Sequence, residues 1–398
     1  MLLKVILYTI SLTACLLDVS HSSRTESFKE LEKALLTNYS AKFRPGLDNT
    51  GPLLVNISAH LVYLNGIDAI KGTISVVMFF EVTWIDERLK WDPFQYDNIS
   101  NLHLPSDDIW LPPLLLTNPT ERITYLTGIN LKVTLFPDGK IMYLPGEVID
   151  ASCFINITMF PFDTQECFVS FIPWGFNSAD IYLVTDPSPV GTEYYSQNGE
   201  WEYIRSTYEQ RYNSTIRLVS FGLYFKRRHQ YFVINLLVPI VIVDVLNIMV
   251  FLLPCESGER ISFSITVLLS YVVFLTMFSD FIPRNALAMS ILCYYILYVL
   301  VGSFMITVAN IVSIRVYYAT CSIPTWVKCI FCRQTIKRNA ISDIDGKWEI
   351  KHDAYCDHRV DDEVTWVTIS SVLDKIFICN CVIYNVILNA YYFKQIVD

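Results

Sequence analysis

Charge is scarce in this chain. Asp, Glu, Lys and Arg make up 17% of 398 residues, against about 25% in an ordinary soluble domain. That shortage excludes an intrinsically disordered chain, and a hydrophobic share of 53% suggests that part of the chain faces lipid. Glycine is sparse too, at 14, which excludes a collagen-like repeat. An excess of base is missing: the formal net charge is −9, opposite in sign to the footprint of a nucleic-acid binder. The six His, at 21, 60, 103, 229, 352 and 358, are scattered. No nucleophile–base pair and no Gly-rich phosphate loop stands out, so neither enzymatic activity nor a cofactor is expected.

What is present is unevenly spread. Residues 1–23 have the form of a secretory signal: Lys4, then an apolar run from Val5 to Leu17, then small residues around Ser20–Ser23. An uncleaved anchor is the plainer alternative. Residues 24–225 hold 24 Asp+Glu and 14 Lys+Arg, a net of −10, so nearly all the negative charge lies there. Five N-glycosylation acceptors fall in the same stretch, Asn38, Asn56, Asn98, Asn156 and Asn213, with none beyond 225. This half therefore reads as exported.

It also reads as β-rich. Alternating or β-branched runs recur at Val55–Asn65, Thr73–Trp84, Ile129–Phe136, Ile155–Thr158, Glu166–Ile172, Trp201–Tyr208 and Thr215–Phe225, separated by turn signals such as Pro137-Asp138-Gly139. Phe28, Leu31 and Leu35 suggest a short helix near Glu26–Asn38. Cys153 and Cys167 are the only cysteines of the exported region. Export allows oxidation, so they are expected to pair, and closing so short a loop contributes about 3 kcal/mol in the chain-entropy description.

After Lys226-Arg227-Arg228 the character changes. Tyr231–Leu253, Ile261–Ile282, Leu287–Ile314 and, less cleanly, Ile376–Phe393 are long and apolar enough to span a membrane. Four spans after an exported N-terminus place both termini outside. Arg315, Lys328, Arg333, Lys337 and Arg338 then lie on the cytoplasmic side, as the positive-inside rule expects. The second span carries the most information. Glu259, Ser262, Thr266, Leu269, Val273, Met277 and Asp280 recur every three or four residues and share one helical face. That face is acidic at both ends, hydroxylic near the inner end and apolar in the middle. It suits a water-filled pore with acidic rings for cations and a constriction that dewets. One helix cannot enclose a pore, so this reading requires a ring of subunits. A buried helix with ordinary cap residues is the alternative, since Glu259 would be favourable at any helix N-terminus.

Here the chain resembles the Cys-loop pentameric ligand-gated ion channels. The motifs are Cys153–Cys167 with Phe160-Pro161-Phe162-Asp163, Trp84-Ile-Asp-Glu-Arg-Leu-Lys-Trp91, Trp110-Leu-Pro112, Gly199-Glu-Trp201, Pro239, and Gly258-Glu259-Arg260-Ile261-Ser262. The likeness is nearest to nicotinic acetylcholine receptor subunits of non-alpha type, with the serotonin type 3 branch close behind. It implies a β-sandwich extracellular domain plus a four-helix transmembrane bundle, an α+β membrane protein assembling as a pentamer. By the resemblance, Glu259 stands at the inner acidic ring, Leu269 at the central gate and Asp280 at the outer ring. Gating would be coupled through Asp68, Phe160, Pro161, Phe162, Asp163, Arg228 and Pro283, with agonist binding shifting a population between tilts of the sandwich.

The resemblance also implies a ligand site between subunits, where aromatic rings cage an ammonium through cation–π attraction. Trp174 matches the central cage Trp, and Tyr208 and Tyr212 follow Trp201. Phe79 stands where Trp is usual, Thr117 where Tyr is usual, and Met142 and Leu144 would line the complementary face. Adjacent cysteines that mark agonist-binding alpha-type subunits are missing from the Trp201 loop. Three readings therefore stay open: a receptor for acetylcholine or another small amine, a non-binding accessory subunit, and a receptor for a non-classical ligand, serotonin type 3-like or chemosensory. Trp84, Trp91 and Trp110 read as core. Asp244 and Asn247 lie inside the first span, and the simpler account is satisfaction within the bundle by Asn385 or Asn389. Cys329-Ile-Phe-Cys332, with His352, Cys356 and His358 downstream, has metal-ligand residue types at irregular spacing, and no metal is expected there.

The expected organisation is a signal peptide at 1–23, an extracellular ligand-binding domain at 24–228, transmembrane helices one to three at 229–314, a cytoplasmic loop at 315–373, and a fourth helix with an extracellular C-terminus at 374–398. The expected partners are a small agonist, monovalent cations with divalent ones left open, related subunits in a homo- or hetero-pentamer, and membrane lipid. The expected place is the plasma membrane, a postsynaptic one among the options.

Overall fold

The computed structural model describes residues 24–46, 51–126, 131–185, 190–212, 217–282, 289–324, 327 and 365–397. The segment 1–23 and the positions Asn213, Pro283, Cys329, Cys332, His352, Cys356 and His358 lie outside the described residues. The chain divides into two compact units: Met1–Asn156 with Thr164–Arg228, and Ile157–Asp163 with His229–Asp398.

The first unit is a two-sheet structure with one helix. Helix α1 (24–36) buries Leu31 and rests Phe28 and Leu35 on the strand core, one face as its periodicity requires. The strands are β1 (Leu53–Asp68), β2 (Thr73–Ile85), β3 (Leu102–Pro105), β4 (Leu114–Leu116), β5 (Lys132–Leu135), β6 (Lys140–Tyr143), β7 (Gly146–Ser152), β8 (Thr164–Pro173), β9 (Ile181–Val184), β10 (Trp201–Tyr212) and β11 (Arg217–Arg227). One sheet runs β3-β5-β6-β2-β1-β9, with β7 also on β2; the other runs β10-β11-β8-β4. β2 alternates strictly and sends Ile74, Val76, Met78, Phe80, Val82 and Trp84 inward. These meet Val169, Phe171, Val219, Phe221 and Leu223 of the second sheet in one core.

A buried polar knot closes one edge of that core. Asp86 is fully enclosed; Arg88 donates to both of its oxygens at 2.9 and 2.8 Å, and Tyr39 donates to it at 3.0 Å. The Trp110 amide donates in turn to the Tyr39 hydroxyl at 3.0 Å. Burial, ahead of other causes, pushes the Tyr39 phenol up, and the Asp86 hydrogen bond raises Arg88. Gly139, at φ 83°, passes so close that a Cβ there would sit 2.7 Å from the Asp86 carbonyl.

Several local expectations differ from the outcome. Ile155–Thr158 forms no strand. The Gln165 side chain accepts from the Asn156 N–H and donates to its C=O, both at 2.9 Å, and so takes the place of a strand partner. The short strands β3, β4 and β9 carried too few residues to show a period, and β7, seven residues long, was not among the expected runs. Of the glycosylation acceptors, Asn38, Asn98 and Asn156 are exposed, while Asn56 is half-buried within β1, opposite Thr83.

Among its described residues the second unit holds four helices long and apolar enough to cross a membrane: α2 (Gln230–Leu252), α3 (Arg260–Ser279), α4 (Ile291–Tyr317) and α5 (Trp366–Val397). In α2 a π turn at Val233–Leu237 precedes regular helix from Val238. Pro239 sits in the first turn of that regular stretch, where a missing N–H does least harm. α4 is capped by the Ser290 hydroxyl, which accepts from the Leu292 N–H at 3.2 Å. α4 runs three residues past the expected boundary at 314, and α5 begins at Trp366 rather than 374.

Candidate ligand face and pore-lining helix

The seven residues expected at a ligand site divide between the sheets. Trp174, Thr117, Tyr208 and Tyr212 belong to strands or strand ends of the four-stranded sheet, and Phe79, Met142 and Leu144 to those of the seven-stranded sheet. The Trp174 N–H donates to the Pro113 carbonyl at 2.8 Å, which sets it beside β4. Thr117 is held just past β4, its N–H and hydroxyl donating to the Ser170 carbonyl at 2.9 and 3.2 Å. Trp174 is 52% exposed, whereas Trp84, Trp91, Trp110 and Trp201 are buried. An indole left in solvent adds nothing to this core, so it is free for contact with something else. Tyr208 is exposed as well, on β10.

On the other sheet, Phe79 stacks on His60 (4.5 Å between rings, 5° apart) and meets Tyr194 edge-on at 5.5 Å. Glu193 lies 3.9 Å from the His60 ring nitrogen. Met142 stands opposite Thr83, so it shares the outward face of β2 with Phe79. The sequence reading missed His60 and Tyr194. The β1–β2 register pairs His60 with Phe79, and the segment bridged to β1 at Gly191 and Ser196 carries Tyr194 to the same ring. A separate cavity of about 150 Å³ lies between residues 116–126 and β7; desolvation lifts Glu147, on its wall, above the usual carboxylate range.

On α3 the expected pore face is uncovered, as are Ile261, Ile265, Val272 and Thr276 beside it. Glu259, Ser262, Thr266, Leu269, Val273, Met277 and Asp280 are all exposed, with Leu269 at 59%. The opposite stripe, Arg260, Ser264, Val267, Tyr271 and Phe278, is buried on the bundle. Glu259 stands at the helix start without a side-chain capping bond, so its carboxylate is not spent on its own backbone. Thr266 donates to the Ser262 carbonyl at 2.9 Å. Gly258, at φ 71°, supplies the left-handed turn that starts the helix.

The coupling candidates are placed as follows. Asp68 closes the β1–β2 turn, its Oδ1 accepting from the N–H groups of Ile70 (2.9 Å) and Lys71 (3.0 Å). Cys153 and Cys167 form a disulfide at the base of the loop. The loop tip, Ile157–Asp163, belongs to the helical unit. There Phe160 packs on Phe232 of α2 (4.9 Å) and Phe278 of α3 (5.9 Å), and Phe162 packs on His229 (4.8 Å). The Ser290 hydroxyl donates to the Phe160 carbonyl at 3.4 Å, and the Ile291 N–H to Thr158 at 3.0 Å. Pro161 is at the tip and Asp163 is buried. The Arg228 N–H bonds the Glu200 carbonyl at 2.8 Å. Its neighbour Arg227 is buried over the Trp201 ring at 4.2 Å and paired with Glu200 at 3.0 Å.

A polar clasp at the foot of α3 was not anticipated. Arg260 pairs with Asp374 of α5 at 2.9 Å and donates to the carbonyls of Leu253 (2.5 Å) and Phe251 (3.2 Å). Asn310 of α4 donates to the Arg260 carbonyl at 3.1 Å and the Ser264 hydroxyl at 3.0 Å, and Ser313 donates to Asp374 at 2.5 Å. Asp374 lies more than a hundred residues from Arg260, so no spacing in the sequence pointed to the pair.

A strand sandwich, a disulfide-closed loop whose tip packs among apolar helices, and a second helix that keeps an acid–hydroxyl–apolar face uncovered together define a ligand-gated channel architecture. Residues 28–229 match the family described as neurotransmitter-gated ion-channel ligand binding domain, and residues 236–347 the neurotransmitter-gated ion-channel transmembrane region. The chain belongs to the neurotransmitter-gated ion channels, a family of channels and not of enzymes, and is a multi-pass protein of the plasma membrane. Among its relatives is the neuronal acetylcholine receptor subunit alpha-6 of Mus musculus, 30% identical over 78% of this chain and 64% of that protein. The alpha-3 subunit of Rattus norvegicus is 28% identical over 78% and 64%, and the alpha-4 subunit of Homo sapiens 30% identical over 80% and 52%. The chain thus spans about two thirds or less of the length of the relatives it matches.

Proposed function

We propose that this chain is a subunit of a cation-selective channel, a pentamer of identical or related subunits, opened by a small amine bound between exported domains. The observation that carries the proposal is the uncovered face of α3: acidic Glu259 and Asp280 at its ends and exposed Leu269, Val273 and Met277 between them. Five such faces turned inward give acidic rings that attract cations and an apolar belt that closes by dewetting. The net charge of −10 on residues 24–225 adds to this, since an acidic vestibule raises the local cation concentration. The ligand side rests on Trp174 and Tyr208, exposed on one sheet, and on half-buried Phe79 and Met142 on the outward face of the other, so that one subunit offers a principal face and its neighbour a complementary one. Both termini are then extracellular and the 318–365 connection cytoplasmic.

A second reading is favoured by one observation. No adjacent cysteine pair occurs in β10 or β11, and Thr117 offers no ring, so the chain also suits a non-alpha subunit that completes a partner's site. Voltage clamp of cells expressing the chain, alone and with an alpha-type partner, separates the two. Amine-evoked current from the chain alone supports a homomeric receptor, and current only with a partner supports the accessory role. Current reversing at the chloride potential would overturn cation selectivity.

A further inference from the structure

One end of the α4–α5 pair gathers tyrosine. A cavity of about 520 Å³ lies between the start of α4 and the end of α5, a size within the range of small-molecule sites. Six tyrosines line it, Tyr294, Tyr295 and Tyr298 of α4 and Tyr384, Tyr391 and Tyr392 of α5, with Gln395 beyond them. Their spacing puts each set on one helical face. α5 contains no other tyrosine, so its rings are not spread around the helix as a membrane-surface belt would be.

The floor of the groove is fixed by contacts within the bundle. Tyr295 and Tyr392 are buried and stack at 4.5 Å between rings. The Tyr295 hydroxyl donates to Asn389 Oδ1 at 3.0 Å, and the Tyr384 hydroxyl to the Tyr298 carbonyl at 2.9 Å. A Cβ at Gly302 would stand 2.9 Å from the Tyr384 ring, so the glycine is what lets that ring lie against α4. The Tyr392 hydroxyl has no partner among the described residues, although the residue is only 3% exposed. Around this floor Tyr294, Tyr298 and Tyr391 stand exposed.

The lining selects among occupants. No Asp, Glu, Lys or Arg is among the residues that line the cavity. Acyl chains alone would leave the Tyr392 hydroxyl unpaired, which is costly. A primary ammonium needs acceptors, but the lining offers no carboxylate and the Tyr298 carbonyl already accepts from Tyr384. A sterol brings one hydroxyl and no charge. A quaternary ammonium needs no acceptor and is attracted by aromatic rings, and a phosphate oxygen next to it accepts from a free hydroxyl. The C-terminal end of α5 adds the negative pole of a helix dipole.

We propose that the α4–α5 groove binds the headgroup of phosphatidylcholine, with the trimethylammonium among the tyrosine rings and a phosphate oxygen accepting from the Tyr392 hydroxyl. No residue of the groove belongs to α3 or to the strand unit, so the site stands whether or not the chain conducts. With the orientation proposed above, the headgroup belongs to the outer leaflet.

The test uses the full chain in phosphatidylglycerol nanodiscs, which contain no choline and expose both leaflets, with a trace of photoreactive phosphatidylcholine as probe. Labels are expected in residues 291–298 and 384–395. Unlabelled phosphatidylcholine should displace the probe at least ~10-fold better than phosphatidylethanolamine of the same chains, the ratio of a desolvated cation–π contact. Tyr294→Leu with Tyr391→Leu keeps apolar bulk and removes two rings, and should bring that ratio within ~2-fold. Tyr392→Phe removes one oxygen and should weaken phosphatidylcholine displacement ~5-fold. No label in either segment, equal displacement by phosphatidylethanolamine, or better displacement by cholesterol overturns the proposal. So does a ratio that survives the loss of both rings, or a Tyr392→Phe chain that behaves as native. Should the double variant fail to accumulate, Ile387→Trp fills the groove with every tyrosine intact. It should cut labelling ~10-fold through loss of volume, and unchanged labelling overturns the site.

Discussion

Replacing Asp374 by Asn keeps the shape of the clasp at the foot of α3 and removes its charge. Arg260 and Asp374 are almost fully enclosed, with side-chain exposures of 4% and 12%. Breaking a buried pair by removing one partner costs about 3–5 kcal/mol, because the remaining charge is left uncompensated. Arg260 would keep the Leu253 and Phe251 carbonyls as acceptors, which places the expected loss near the lower end, about 3 kcal/mol, or more than a hundredfold in the folding equilibrium. The double replacement Arg260→Met with Asp374→Leu removes both charges, and such apolar substitutions of a buried pair are often neutral or better. It should lie within about 1 kcal/mol of the native chain, so the cycle should show strong coupling. The assay is equilibrium unfolding of the purified chain in a fixed lipid–detergent mixture. A single Asp374→Asn variant within ~0.5 kcal/mol of native, or a double variant as damaged as the sum of the singles, would refute the reasoning.

Leu269→Thr places a hydroxyl in the apolar belt; if the belt gates by dewetting, agonist-free current should rise, and a closed resting state would count against it. Glu259→Gln should lower the permeability ratio of sodium to chloride, read from the reversal potential, by several-fold; an unchanged ratio would remove Glu259 from the inner ring. Trp174→Ala should shift stability by less than ~1 kcal/mol because the ring is exposed, yet abolish amine-evoked current, whereas Trp201→Ala, fully buried, should cost about 3–5 kcal/mol and reduce surface expression. Cys153→Ser with Cys167→Ser should cost about 3 kcal/mol and be read as loss of surface protein; undiminished thermal stability would show that the loop holds without its bridge.

Much of this protein was visible from residue order because the signals are local. Four long apolar stretches need only length and composition to be read as spans. The strict alternation of β2 predicts which of its side chains turn inward, and the spacing from Glu259 to Asp280 predicts one face of a helix. Cys153 and Cys167 had no other cysteine to pair with between residues 24 and 225. Periodicity and composition act within a few residues of each position, so they survive without knowledge of the neighbours.

Tertiary structure decided whatever depends on two distant segments meeting. His60 joins Phe79 through the β1–β2 register, and Arg260 finds Asp374 across the bundle. Ile155–Thr158 loses its strand to the Gln165 side chain. The sorting of the tryptophans, with Trp174 exposed and Trp84, Trp91, Trp110 and Trp201 enclosed, depends on where the sheets end and not on the residue type. Asp244 shows the division most plainly. Its place in an apolar span was evident from order alone, but its enclosure, and the hydrogen bond it accepts from Tyr271 of another helix, followed only once the helices were packed, because desolvation and pairing are properties of an enclosed volume.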